Sequence, residues 1–143
     1  MADDLKLVMT KADLAAFFVQ AFAGNMSDPD EFEVLEPGFL RMKLEPHESM
    51  LRPGRLVSGP TQMGLADRAA YAVILAHIGP VAMAVTSNLN MSFLRGVKFE
   101  TFYADAHLLK LGRRLATVDV RIWQGEPGNV AAQSTVTYAI PAS

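Results

Sequence analysis

Along this chain the spacing of apolar positions changes from helical to alternating, back to helical and then to alternating again. Leu14, Phe17, Phe18 and Phe22 recur at three- and four-residue intervals, which predicts an amphipathic helix over about residues 11–24, capped by Thr10 or Asp13 and stopped by Gly24-Asn25. After the turn signal Ser27-Asp28-Pro29-Asp30, Phe32 and Val34 alternate with charges. Phe39 to Leu44 alternates more clearly, and Pro37-Gly38 lies between the two runs, so they read as a hairpin with one wet face. A loop with Pro46, His47 and Pro53-Gly54 leads to Ser58-Gly59-Pro60. There Ser58 or Gly59 suits an N-cap and Pro60 fits the first turn, where its missing N–H does no harm. The helix that follows, about residues 60–78, is apolar nearly all round, and a helix without a polar face is buried.

From Val81 the period is two. Leu89, Met91 and Phe93, then Phe102 to Leu109, then Ala116, Val118, Val120 and Ile122, then Val136, Tyr138 and Ile140 mark four successive strands. The intervening turns carry Gly96, Gly112 and Glu126-Pro127-Gly128, short enough for antiparallel neighbours. The expected class is α+β, one antiparallel sheet curled around one central helix. The most apolar window, Ala69 to Val85, contains His77 and is cut by Gly79-Pro80, too broken to span a bilayer; it reads as a buried helix running into a buried strand.

Composition narrows the chemistry. With 143 residues, 50% hydrophobic and 20% charged, the chain fits one domain that can bury a core unaided. Zero cysteine excludes thiolate nucleophiles, thiolate zinc sites and a disulfide framework. A balance of 13 basic and 15 acidic residues argues against nucleic acid as a partner, and no basic-then-apolar leader stands at the N-terminus, so the expectation is a cytoplasmic protein off the membrane.

Asp67 is the most informative residue. Its helical neighbours Pro60, Met63, Gly64, Ala70, Tyr71 and Ile74 are small or apolar, and a buried ionised carboxylate is costly unless something compensates it. The compensation is an ion pair to Arg41 or to Arg68 of another subunit, an edge that reaches solvent, or a functional role. Ser58-Gly59-Pro60 brings free N–H groups and the positive end of the helix dipole together, a setting for an anionic oxygen. His47, His77 and His107 are too scattered for a metal site, and no Gly-x-Ser-x-Gly elbow occurs. Asn88, Asn90 and Ser92 form a polar strand face, while Arg95, Lys98, Lys110, Arg113 and Arg114 place positive charge near two turns.

The stretch from Val57 to Asp67, ending in Leu-Ala-Asp, resembles the helix entry of the PaaI-type hotdog-fold acyl-CoA thioesterases, usually His-Gly-Gly and then a small, apolar run. Asn88 to Arg95, Leu111 to Ala116 and Val130 to Ile140 are similar to further stretches of that family, in the same order over residues 30–141. The resemblance implies a single hotdog domain over residues 1–143, a curved antiparallel sheet around a long helix, with an extra N-terminal helix. It also implies a homodimer or dimer of dimers with active sites at the interface, an acyl-CoA substrate and no cofactor. Asp67 then falls on the catalytic carboxylate, general base or nucleophile, and Gly59 on the N–H that polarises the thioester carbonyl, with Ser58 in support. Asn88, Asn90, Arg95, Arg113 and Arg114 become the substrate-binding candidates. Two departures stand out: Ser58 replaces the usual His, and Pro60 replaces the second Gly and removes an N–H. They motivate an alternative, a non-catalytic acyl-CoA binding module. A hydratase ranks third, since Tyr71 and Ala72 stand where its His would be.

Overall fold

A computed structural model describes residues 4–22 and 30–142. Helix α1 (Lys11–Ala21) starts at Thr10, whose hydroxyl accepts from the Asp13 N–H while the Asp13 carboxylate accepts from the Thr10 N–H. Of its expected end, residues 23 and 24 and the stop at Gly24-Asn25 lie outside the described residues, as does most of the Ser27–Asp30 turn signal. Strands β1 (Glu31–Glu36) and β2 (Phe39–Leu44) form the expected hairpin; Gly38 takes a positive φ of 77°, the conformation a Pro-Gly turn demands. The loop that follows holds more structure than its composition suggests: a 3₁₀ turn (Glu48–Met50) and a two-stranded ribbon of β3 (Leu51–Arg52) and β4 (Leu56–Val57).

Helix α2 (Gly59–Ile78) begins at Ser58, whose hydroxyl accepts from the Thr61 N–H. It is buried along most of its length, with Ala66, Ala69, Ala70, Ala72 and Ala76 fully inaccessible. Strands β5 (Val85–Phe93), β6 (Phe102–Leu111), β7 (Leu115–Trp123) and β8 (Val130–Ala139) complete a six-stranded antiparallel sheet in the order β1-β2-β6-β7-β8-β5. Leu40, Met42, Ala104, Ala106, Val118, Val120, Ala132 and Val136 face α2, and the small residues on both sides let helix and sheet approach closely.

Two expectations are corrected. Strand β5 does not pair with β6, although they follow in sequence; residues 94–101 carry the chain across, and β5 lies against β8. Nor is β5 a buried strand continuing from the helix: it is an edge strand, with Val85 and Phe93 about half exposed.

α1 docks through aromatic rings. Phe18 is buried and packs edge-on against Phe32 at 5.1 Å and against Tyr71 of α2 at 5.8 Å, fixing the helix across one end of the sheet. On the opposite sheet face Arg41 makes a two-pronged bond to Asp105 (2.8 and 3.0 Å) and lies 4.9 Å from the Trp123 ring centroid. Asp105 is only 7% exposed, so Asp105→Ala takes both hydrogen-bond acceptors from a partly buried guanidinium and leaves it only the Glu33 carboxylate at 3.8 Å. The expected loss is about 2 kcal/mol, read as a lower midpoint in urea unfolding.

Candidate active site

Asp67, the ninth residue of α2, is half-buried at the wall of a cleft of about 620 Å³. Neither ion-pair partner considered for it is available within the chain. Arg41 is engaged by Asp105, and Arg68 donates to Asp30 at 2.9 Å. Burial lifts the Asp30 carboxyl above the usual carboxylate range, and Arg68 offsets part of that rise. Asp67 accepts two hydroxyl groups instead. Thr86 Oγ1 donates to Oδ1 at 2.7 Å and Tyr138 Oη donates to the same oxygen at 2.8 Å; Tyr138 also reaches the Asp67 backbone carbonyl at 3.2 Å. Oδ2 has no hydrogen-bond partner among the described residues. The remaining walls are mostly apolar, Tyr71, Ala82, Ala84 and Val85 with Ala21 and Phe22 from the end of α1, and Arg68 borders the cleft beside them. The N-terminal helix therefore borders the cleft.

Thr86 reaches Asp67 because β5 is irregular. From Asn88 to Phe93 the odd-numbered residues pair with inward residues of β8, as Leu89 does with Val136. Strict alternation would turn Thr86 outward. The register slips between Thr86 and Asn88, one extra residue is accommodated, and Thr86 pairs with the inward-facing Tyr138. The two hydroxyl donors are thus cross-strand neighbours delivered by a β-bulge.

The helix entry has a separate logic. Of the first-turn donors of α2, Pro60 has none, the Thr61 N–H goes to Ser58 Oγ at 3.2 Å, and the Gln62 N–H goes to the Ser58 carbonyl at 3.2 Å. The Gly59 N–H alone lacks an acceptor among the described residues. The Ser58 hydroxyl is occupied within its own turn, 2.9 Å from the Thr61 hydroxyl. Gly59 lies eight residues before Asp67, about 12 Å along the helix, and neither Ser58 nor Gly59 lines the Asp67 cleft. One chain does not bring them together.

The substrate-binding candidates divide into three groups. Asn88 and Asn90 lie on the outer face of β5, turned away from Asp67, with Asn90 donating to Asn88 at 3.3 Å. Arg95 stands two residues after Phe93, whose ring lies against Gly59 at the start of α2, and donates to Asn129 at 2.8 Å. Arg113 and Arg114 border a groove with Ile78 and Leu111 at the other end of α2. His77 uses both ring nitrogens internally: Nε2 accepts from the Gly38 N–H at 3.0 Å, which leaves Nδ1 to donate to the Val73 carbonyl at 2.7 Å. The described residues include no cluster of three or more His, Cys, Asp or Glu able to hold a metal, and no helix long and apolar enough to cross a membrane. Thr86 and Tyr138 escaped the sequence reading. The one local sign is Val85-Thr86-Ser87, where the alternation of β5 breaks.

Comparison with known proteins agrees with this architecture. Residues 54–131, more than half of the chain, match the family model of the thioesterase superfamily. The crystal structure of a candidate thioesterase from Silicibacter sp. TM1040 superposes with a TM-score of 0.87 at 37% identity, covering 96% of each chain. A candidate esterase of Saccharolobus solfataricus is 31% identical over 111 residues, covering 77% of this chain and 72% of that protein. A Streptococcus mutans protein crystallised with acetyl-CoA shares the fold at a TM-score of 0.70 and 20% identity, covering 85% of this chain and 95% of that one. With a six-stranded antiparallel sheet closed on one long helix, the hotdog arrangement, and a family match across its centre, this chain belongs to the thioesterase superfamily.

Proposed function

We propose that this protein hydrolyses an acyl-CoA or aroyl-CoA thioester to the free acid and CoA, in a site assembled between two copies of the chain. The observation that carries the reading is the Asp67 carboxylate, in no ion pair among the described residues, with one oxygen held by two hydroxyls and the other without a partner, at the wall of a mostly apolar cleft that Arg68 also borders. Oδ2 either removes a proton from water as that water attacks the thioester carbonyl, or attacks the carbonyl itself to form an anhydride that water then opens. The oxyanion formed accepts from the Gly59 N–H of the other copy, and CoA leaves as the thiolate and takes up a proton. The acetyl-CoA held by the S. mutans relative supports a CoA ester as substrate. Two features support a second copy: the outer edge of β5 has no strand against it among the described residues, and the two halves of the proposed machinery stand apart in one chain.

Thiol release from short, medium, long-chain and aromatic acyl-CoA esters tests the reading, and a chain without cysteine adds no background to a thiol-reactive dye. Saturable release is expected with at least one class, from a particle of twice the chain mass or more in sedimentation. No release from any class, with the esters still raising the melting temperature, would make the protein a binding module instead.

A further inference from the structure

The hydroxyl of Tyr138 has two acceptors and both belong to residue 67: Oδ1 at 2.8 Å and the backbone carbonyl at 3.2 Å. Tyr138 is only 4% exposed. Its ring stacks on Tyr71, with centroids 5.6 Å apart and planes 20° from parallel, and Tyr71 is itself anchored by a 3.0 Å bond from its hydroxyl to the Ala82 carbonyl. The phenol is therefore aimed by an interior strand and by a neighbouring ring with its own tether. Thr86, the other donor, sits on an edge strand beside a bulge. A phenol next to a carboxylate can act as an acid or as a fixed donor. Burial, reinforced by the adjacent Asp67 charge, pushes this one far above the ordinary tyrosine range, so it stays protonated and donates throughout the working pH range.

We infer that Tyr138 is a positioning residue for the hydrolysis proposed above: together with Thr86 it holds Oδ1 of Asp67 and so presents Oδ2 to the cleft. The inference rests on Asp67 acting as base or nucleophile. Two hydroxyl donors converging on one oxygen hold the carboxylate plane where a single donor would leave it free to turn. Fixing one oxygen also removes a rotation that would otherwise have to be lost on the way to the transition state.

Tyr138→Phe deletes one atom and keeps the ring, the stack and the packing. Neither acceptor is stranded, since Oδ1 keeps Thr86 and the carbonyl keeps its helical N–H, so the variant is expected to fold, as its melting temperature will report. Loss of one charge-assisted bond is expected to lower kcat about tenfold with KM within about twofold and the melting temperature unchanged. A kcat within about twofold of wild type, or a loss carried by a higher KM or by a lower melting temperature, makes Tyr138 a structural residue and overturns the inference. Asp67→Asn, run alongside, separates the two levels. An inactive Asp67→Asn beside a Tyr138→Phe of wild-type kcat removes the role of Tyr138 alone, whereas an active Asp67→Asn removes the catalytic reading and this inference with it.

Discussion

Asp67→Asn is expected to lower turnover by about 10²–10⁴-fold, the usual contribution of a positioned acid–base group, while the fold and the affinity for the CoA ester persist. The separation follows from the geometry. The amide oxygen of Asn can replace Oδ1 as the acceptor of the Thr86 and Tyr138 hydroxyls, so the polar contacts that seat residue 67 survive. No salt bridge is broken, because Asp67 has none among the described residues. What changes is the atom facing the cleft: an NH₂ group can neither take a proton from water nor attack a carbonyl. Steady-state thiol release and a melting curve on the same preparation check both halves, and turnover within tenfold of wild type would show that the carboxylate is not the base or nucleophile.

The parts of this molecule legible in the sequence are those specified locally. Helix α2 announces itself through Ser58 at the cap, Pro60 in the first turn and a run of apolar residues with no wet face. Asp67 was legible for the same reason, as the one carboxylate in that apolar stripe. The order of the strands was not. Alternation locates β5 and β6 but carries no information on which edges pair, and the partner of β5 comes from the far end of the chain. The hydroxyls on Asp67 were hidden more deeply. Tyr138 is an apolar-phase member of an alternating strand, and its acceptor is 71 residues away. Thr86 reads as outward-facing under the very rule that finds the strand, and one extra residue in β5 reverses it. The same rule is right for Asn88 and Asn90, which is why those two end on the face away from the cleft.

Gly59→Pro is expected to lower turnover by about 10²–10³-fold without unfolding the helix, the cost typical of one lost oxyanion donor. Proline is well tolerated at the first helical position. Ser58 already has the extended backbone a following proline requires, at φ −66° and ψ 154°. Apart from its chain neighbours, a Cβ at residue 59 meets nothing nearer than the Phe93 ring at 3.4 Å, an ordinary contact. The N–H that proline removes has no acceptor among the described residues, so its loss breaks no hydrogen bond seen there. Gly59→Ala adds the same Cβ and keeps the N–H, and should stay near wild type; equal losses in the two variants would trace the effect to bulk at Phe93. Mixing then tests where the donor comes from. Gly59→Pro and Asp67→Asn protomers refolded together in equal amounts yield mixed dimers in half of all cases. If Asp67 of one copy works with Gly59 of the other, each mixed dimer has one intact site of two, and about a quarter of wild-type turnover returns. If both residues serve the same site from a single chain, every site carries a lesion and nothing returns.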